Sequence, residues 1–180
     1  MLTNLKKANP VSDRSHRFEI FDIELHFTMA KKSAGLLVYR LTDTIEVLLV
    51  HPGGPFFARK DLGSWSVPKG EYTDEEEPLT AAIREFREET GHSISGNFIP
   101  LSPIKQKGHK LVKAWAVEGD IDTSAVVSNT FEMVWPPNSQ QFKTFPEVDR
   151  AEWFPVSLAK EKINAGQVPF LIELENLLKN

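Results

Sequence analysis

Residues 70–92 read GEYTDEEEPLTAAIREFREETGH. Pro78 suits a first helical turn and Gly91 a left-handed stop, so the spacing predicts a helix over 78–90. At 100° per residue, Leu79, Ala82, Ile83 and Phe86 fall on one side, the stripe of a helix lying on a core. Glu85, Glu88 and Glu89 fall on another side, because positions i, i+3 and i+4 are surface neighbours. Ala81 shares that acidic face and is expected to leave room beside the carboxylates. A Glu-rich helix face is ordinarily solvated surface, and Arg84 with Glu88 is an ordinary i, i+4 ion pair. The frame around the helix argues for more. Gly70, Glu76, Arg84, Glu85, Glu88, Glu89 and Gly91 stand at fixed intervals, and chance assembles such a set with odds on the order of 10⁻⁵ over a chain of ordinary composition.

That set resembles the Nudix box, G-x5-E-x7-R-E-U-x-E-E-x-G-U, where U is a bulky apolar residue. All seven non-apolar positions match and Phe86 fills the first U. His92 departs from the second, which predicts altered packing after the turn and intact chemistry. The flanking layout is similar too, from residue 33 to the C-terminus. The resemblance implies the Nudix α/β/α sandwich with a mixed sheet, an α/β fold. It also implies a hydrolase acting on a nucleoside diphosphate linked to another group.

By the same resemblance, Glu85, Glu88 and Glu89 hold divalent metal with help from the Gly70 carbonyl. Mg²⁺ is the expected ion and Mn²⁺ the alternative, since hard cations take carboxylate, carbonyl and water oxygens. Arg84 is expected to orient a glutamate through paired N–H donors, and Glu76 to tie down the loop. The general base is left open between a helix glutamate and a later carboxylate. Glu147-x4-Glu152-Trp153 resembles the family segment that adds a glutamate at the metals, so the catalytic set is Arg84, Glu85, Glu88 and Glu147.

The approach to the box, Trp65-Ser-Val-Pro-Lys-Gly70, is similar to the W-x-x-P-K-G of diadenosine polyphosphate hydrolases. A tyrosine some 16–18 residues after the box, common in that branch, is absent here. Lys69, Lys107 and Lys110 are the expected phosphate contacts, with Lys105 and His109 nearby. Phe56, Phe57, Phe142 and Phe145 are candidates for stacking a base. The expected substrate is therefore a small nucleotide, first a dinucleoside polyphosphate. Nucleoside triphosphate or ADP-ribose pyrophosphatase action is the alternative, and a non-catalytic nucleotide-binding domain the reading from another class.

Outward from the box, 34–39 and 45–50 are apolar runs joined by a polar turn, a predicted hairpin. Residues 53–64 form a loop, and 65–67 a short extended piece. Strands are expected over 111–117 and 131–135, and a strand end at Trp153-Phe154. Ser157 is the expected cap of a helix to about Ile163, and 170–178 a last helix. Phe21, Ile23, Leu25 and Phe27 alternate with polar residues, so 1–28 form an extension with a possible edge strand at 21–27 before a domain over 29–180. Met29 is also a natural start of translation, which leaves the extension's status open.

The 180 residues carry 21 basic and 25 acidic side chains, a net charge of −4. That balance speaks against polymeric nucleic acid as a partner. With no cysteine, thiol nucleophiles and zinc-thiolate sites are excluded, and so is the related isopentenyl diphosphate isomerase chemistry, which needs one. Residues 1–10 lack a signal-peptide core and no run approaches a membrane span, so a cytoplasmic protein is expected. Oligomeric state is not legible.

Overall fold

Residues 34–39 and 45–50 are apolar at both parities, as strands covered on both faces must be. The computed structural model describes residues 31–179, and the alternating segment at 21–27 lies outside them. Strands β1 (Lys32–Leu41) and β2 (Ile45–Pro52) form the expected hairpin, with Tyr39 opposite Val47. β3 (Lys69–Glu71) joins β1 antiparallel, placing Gly70 opposite Ala34. The box helix α1 (Pro78–Thr90) follows. β4 (Ile99–Pro100) and β5 (Ile104–Gln106) edge β6 (Lys110–Glu118), which runs parallel to β1. β7 (Thr130–Val134) and β8 (Phe142–Pro146) make a separate two-stranded ribbon. β9 (Val148–Pro155) closes the sheet against β2, giving seven strands with one parallel pair. Helices α2 (Val156–Lys162) and α3 (Val168–Leu177) end the chain.

Alternation along the strands divides the core in two. Ala34, Leu36, Val38, Leu48 and Val50 face α1, through its Ala81, Ala82 and Phe86. Leu37, Tyr39, Val47 and Leu49 face α2 and α3, through Val156, Ala159, Phe170, Leu171 and Leu174. The result is the α/β/α sandwich with a mixed sheet. Phe86 is fully buried, so truncating it to alanine costs about 3–5 kcal/mol. None of the helices among the described residues is long and apolar enough to cross a membrane.

Helix α1 starts and stops where the sequence says. The Glu77 carboxylate accepts from the Thr80 N–H at 2.8 Å. Gly91 takes the left-handed conformation (φ 73°) and its N–H donates to the Arg87 carbonyl, a stop that favours glycine. Two local expectations need correcting. Ala81 is not a spacer on an open acidic face; it is wholly buried in the core beneath the helix. Ser157 does not cap α2, because Pro155 takes the cap position and makes no side-chain bond there. A proline preset to extended backbone ends β9 one step before the helix and leaves Ser157 inside it.

Candidate catalytic site

The acidic face of α1 is wedged against β3 and is only partly wet. A Cβ built on Gly70 would lie 1.8 Å from Glu85 Oε2. Only glycine at 70 lets that carboxylate rest on the strand backbone, which gives the first glycine of the box its physical reason. The Glu85 side chain is 13% exposed. Glu89 accepts the Lys69 main-chain N–H at 3.0 Å. Glu88 is the most open of the three whose placement matters here, its side chain 38% exposed.

Arg84 organises this face differently from expectation. Its paired donors, Nε and Nη2, grip the Glu76 carboxylate at 2.9 Å each. The remaining Nη1 donates to Glu85 Oε1 at 2.6 Å and to Glu88 Oε2 at 3.1 Å. The fork thus anchors the arginine to the loop, and single bonds orient two glutamates. The Glu76 bonds come first among the causes that hold the guanidinium's pKa above its ordinary value. As the side chains stand, no three His, Asp or Glu groups among the described residues converge at metal-ligand distance. Glu85 and Glu88 lean on Arg84, and Glu89 on the Lys69 amide.

Burial sets the charge behaviour of the pocket floor. It pushes Glu89 up to about 7, against the pull of Lys69, with the Glu85 and Glu147 charges adding to the rise. Burial raises Glu85 as well, opposed by Arg84 and reinforced by Glu88 and Glu147. Lys69 is pushed down by burial, and Glu89 restrains the fall. A carboxyl that titrates near neutrality, as Glu89 does, readily exchanges its proton for a competing cation.

Glu147, between β8 and β9, shares a cleft of about 250 Å³ with Lys69 and Glu89. Its backbone is fixed there, since its N–H donates to the Asn129 carbonyl and its carbonyl accepts from Gly53, both at 2.8 Å. Glu152 instead sits on β9 opposite Leu49, exposed and apart from the cleft lining. Lys110 is brought near the site, 3.5 Å from Glu71 and within electrostatic reach of Lys69. Lys107 begins the short turn before β6, and its side chain is not among those described. Of the stacking candidates, Phe57 lines the cleft. Phe56 packs edge-on against Trp135 at 5.6 Å, Phe145 packs against Phe131, and Phe142 stands 70% exposed on β8.

Trp65 is a structural part of the approach to the box. It is 1% exposed, with its ring edge-on to Phe154 and His51. His51 is itself buried, tied to Asp149 at 2.6 Å and to the Lys60 carbonyl at 2.9 Å, so it staples the 53–64 loop to the start of β9. His92 turns back on the helix end, with Nδ1 2.9 Å from the Thr90 carbonyl. Sequence reasoning missed the amide side chains in the cleft lining, Gln106, Asn164 and Gln167. Neutral amides carry no spacing signal, and these three come from separate stretches.

Comparison with known proteins places the chain. The NUDIX domain family model matches residues 29–174. The 8-oxo-(d)GTP phosphatase of Mycolicibacterium smegmatis is 30% identical over 123 residues, which cover 67% of this chain and 30% of that protein. The chain thus spans less than a third of that relative's length. Among solved structures, a C. elegans Ap4A hydrolase binary complex matches with a TM-score of 0.59 and 24% identity, over 82% of this chain and 98% of that one. The NUDIX domain of Shewanella oneidensis NrtR, complexed with ADP ribose, matches with a TM-score of 0.57 and 17% identity, over 86% and 91%.

Proposed function

The chain belongs to the Nudix family, and we propose that it is a Mg²⁺-dependent pyrophosphohydrolase whose substrate is a nucleoside diphosphate derivative, first a dinucleoside polyphosphate. The observation that carries this reading is the half-buried glutamate face of α1, pressed on Gly70 and opening into a cleft with Lys69 and Glu147. Glu85, Glu88, Glu89 and the Gly70 carbonyl supply the all-oxygen donor set that a hard divalent cation takes, Mg²⁺ or Mn²⁺. The close seat of Glu85 over a residue without a side chain fits such a ligand set. When bound, the cation neutralises phosphate oxygens and acidifies water.

The chain's own groups do the rest. Arg84 holds Glu85 and Glu88 in one orientation while Glu76 holds Arg84. The proton of the attacking water would go to a helix glutamate such as Glu88 or to the later carboxylate Glu147, which lines the cleft. Lys69, Lys110 and Lys107 add the positive charge that a long phosphate chain needs. The Trp65–Gly70 approach supports a dinucleoside polyphosphate, since it shapes the backbone against which Glu85 and Glu89 rest. The runner-up, a nucleoside triphosphate, is favoured by the relationship to the M. smegmatis phosphatase.

A hydrolysis screen with Mg²⁺, with Mn²⁺ and with chelator tests both. Dinucleoside tetraphosphates should show the highest kcat/KM, ahead of nucleoside triphosphates and ADP-ribose. A clear win for a triphosphate selects the runner-up. Tight nucleotide binding without turnover identifies a non-catalytic domain.

A further inference from the structure

Ser33, at the start of β1, is sealed from solvent. Among the described residues its hydroxyl is the one buried side-chain oxygen or nitrogen without a hydrogen-bond partner. A buried hydroxyl in that state costs stability unless something completes its bond. Ala34, Leu36 and Val38 face α1, while Leu37 and Tyr39 face α2 and α3. Alternation therefore turns Ser33 and Gly35 to the second side. Residues paired across strands share a face, and Lys69 pairs with Gly35, while Glu71 and Val112 both pair with Ser33. Lys110 stands two residues before Val112, opposite Gln106. Ser33 thus shares its side of the sheet with Lys69 and Gln106, both of which line the cleft.

The cover over Ser33 is an ion pair. β6 and β3 flank β1, two strand spacings or about 10 Å apart, yet Lys110 Nζ comes within 3.5 Å of Glu71 Oε1. The two side chains therefore meet across β1, on the face that Ser33 presents. Lys31 donates to the same Glu71 oxygen at 3.2 Å, and Lys110 lies within electrostatic reach of Lys69. Three ammonium groups against one carboxylate leave the spot positive. An ion pair this exposed is weak, and Lys31 keeps Glu71 paired when Lys110 leaves.

We infer that Ser33, Lys69 and Lys110 form an oxyanion site for a phosphate of the substrate's chain other than those flanking the bond that is cut, and that the Lys110–Glu71 pair closes this site when it is empty. The inference rests on the reading of the cleft as a site for phosphate chains. Helix α1 packs on the other side of the sheet, so the Ser33 side takes a phosphate away from the one attacked. A phosphate oxygen draws Lys110 off Glu71 and accepts the Ser33 O–H, which gives the orphan hydroxyl a charge-assisted bond. Binding exchanges one ion pair for another and adds the bond that the free protein lacks. A short chain does not reach the site and gains nothing from it, so the site selects for length.

Ser33→Ala tests this without threatening the fold, since it removes an unpaired hydroxyl from a sealed place. The thermal midpoint should hold or rise. With Mg²⁺, kcat/KM for a dinucleoside tetraphosphate should fall about tenfold or more, chiefly through KM, the loss expected of one hydrogen bond to a charged group. ADP-ribose, whose chain is shorter, should be hydrolysed as before. Glu71→Gln, at an exposed carboxylate, loosens the cover and should lower KM for the tetraphosphate, and adding Ser33→Ala should reverse that gain. Calorimetry with inorganic tripolyphosphate on the metal-free protein reads the site apart from turnover. Ser33→Ala should weaken that binding by a similar factor, and inorganic phosphate should bind far more weakly than tripolyphosphate. Unchanged KM and unchanged tripolyphosphate affinity in Ser33→Ala, or an equal loss of rate on every substrate, overturns the inference and leaves the hydrolase reading standing. Inorganic phosphate bound as tightly as tripolyphosphate gives the spot to a free ion and overturns it as well. If no compound is hydrolysed, the hydrolase reading fails on its own, and the tripolyphosphate titration still decides the site.

Discussion

The acidic face of α1, which reaches the cleft through Glu89, and the amide side chains that line the same cleft are built on different plans. Glu85, Glu88, Glu89 and Arg84 come from two turns of one helix, bonded to each other and to the loop just before it. Gln106, Asn164 and Gln167 come from β5 and from the stretch between α2 and α3; the Gly166 N–H holds the Asn164 oxygen and the Val67 N–H holds the Gln167 oxygen. The first is a local device that any chain with the right spacing can fold. The second exists only when distant elements have docked. Chemistry common to many substrates can sit on the first, and choice among substrates suits the second.

Glu88→Gln strikes the acidic face hardest. Turnover should fall by roughly 10²–10⁴ on every substrate alike, with the fold intact. Wild-type rates at saturating Mg²⁺ would take Glu88 out of the machinery. Gly70→Ala comes next, because its Cβ would displace the Glu85 carboxylate. A misplacement of that size can cost about 100-fold in rate. The thermal midpoint and a structure of the variant should show Glu85 moved and the Phe86 core unchanged.

Glu147→Gln should raise the Mg²⁺ concentration for half-maximal activity about tenfold, in line with other groups that support a metal site. Glu152→Gln, away from the cleft, should leave it unmoved, and equal effects would return Glu147 to the surface. Neutralising Lys107 and Lys110 together should lower kcat/KM a few-fold for a tetraphosphate and less for shorter chains, checked by ionic-strength dependence.

The smallest effect is on stability. The Glu89 carboxyl titrates near 7 when folded and metal-free, above its ordinary 4.5. The folded state therefore holds the proton more tightly. Its contribution is complete below about pH 4.5 and is lost as pH rises toward 7. Thermal midpoints of the metal-free protein should drift down across that window, Glu89→Gln should flatten the drift, and Mg²⁺ at pH 8 should restore the loss.

The contrast between the two also explains what was legible. Helix α1 could be read to the residue because Pro78, the apolar stripe and Gly91 are all local signals. Strands β1 and β2 announced themselves by apolar runs. β8 gave no such sign: Phe142, Lys143 and Thr144 are exposed in a ribbon that pairs without burying a face. β3 is three residues long and is defined by its partner β1 more than by its own composition. The glutamates were legible as a set, yet their state was not. That Arg84 spends its fork on Glu76, and that Ala81 is buried, follow from how the loop and sheet close over the helix. Gln167 was invisible because nothing in a sequence marks which amide has its oxygen already taken.

The pairing of the central strands bears on the order in which the molecule is made. β1 waits for β6, Lys32 against Leu111, and β2 waits for β9, Glu46 against Pro155. A nascent chain that has emerged only through the box thus has a complete α1 and a hairpin with both outer edges bare. Those edges are apolar on both faces, the kind that recruits other chains. Contacts so distant in sequence also form slowly. Synthesis has to run past Pro155 before the last of them is covered, so a truncation or a ribosomal pause ahead of β9 should yield insoluble protein, however well the helix that carries the glutamates has folded.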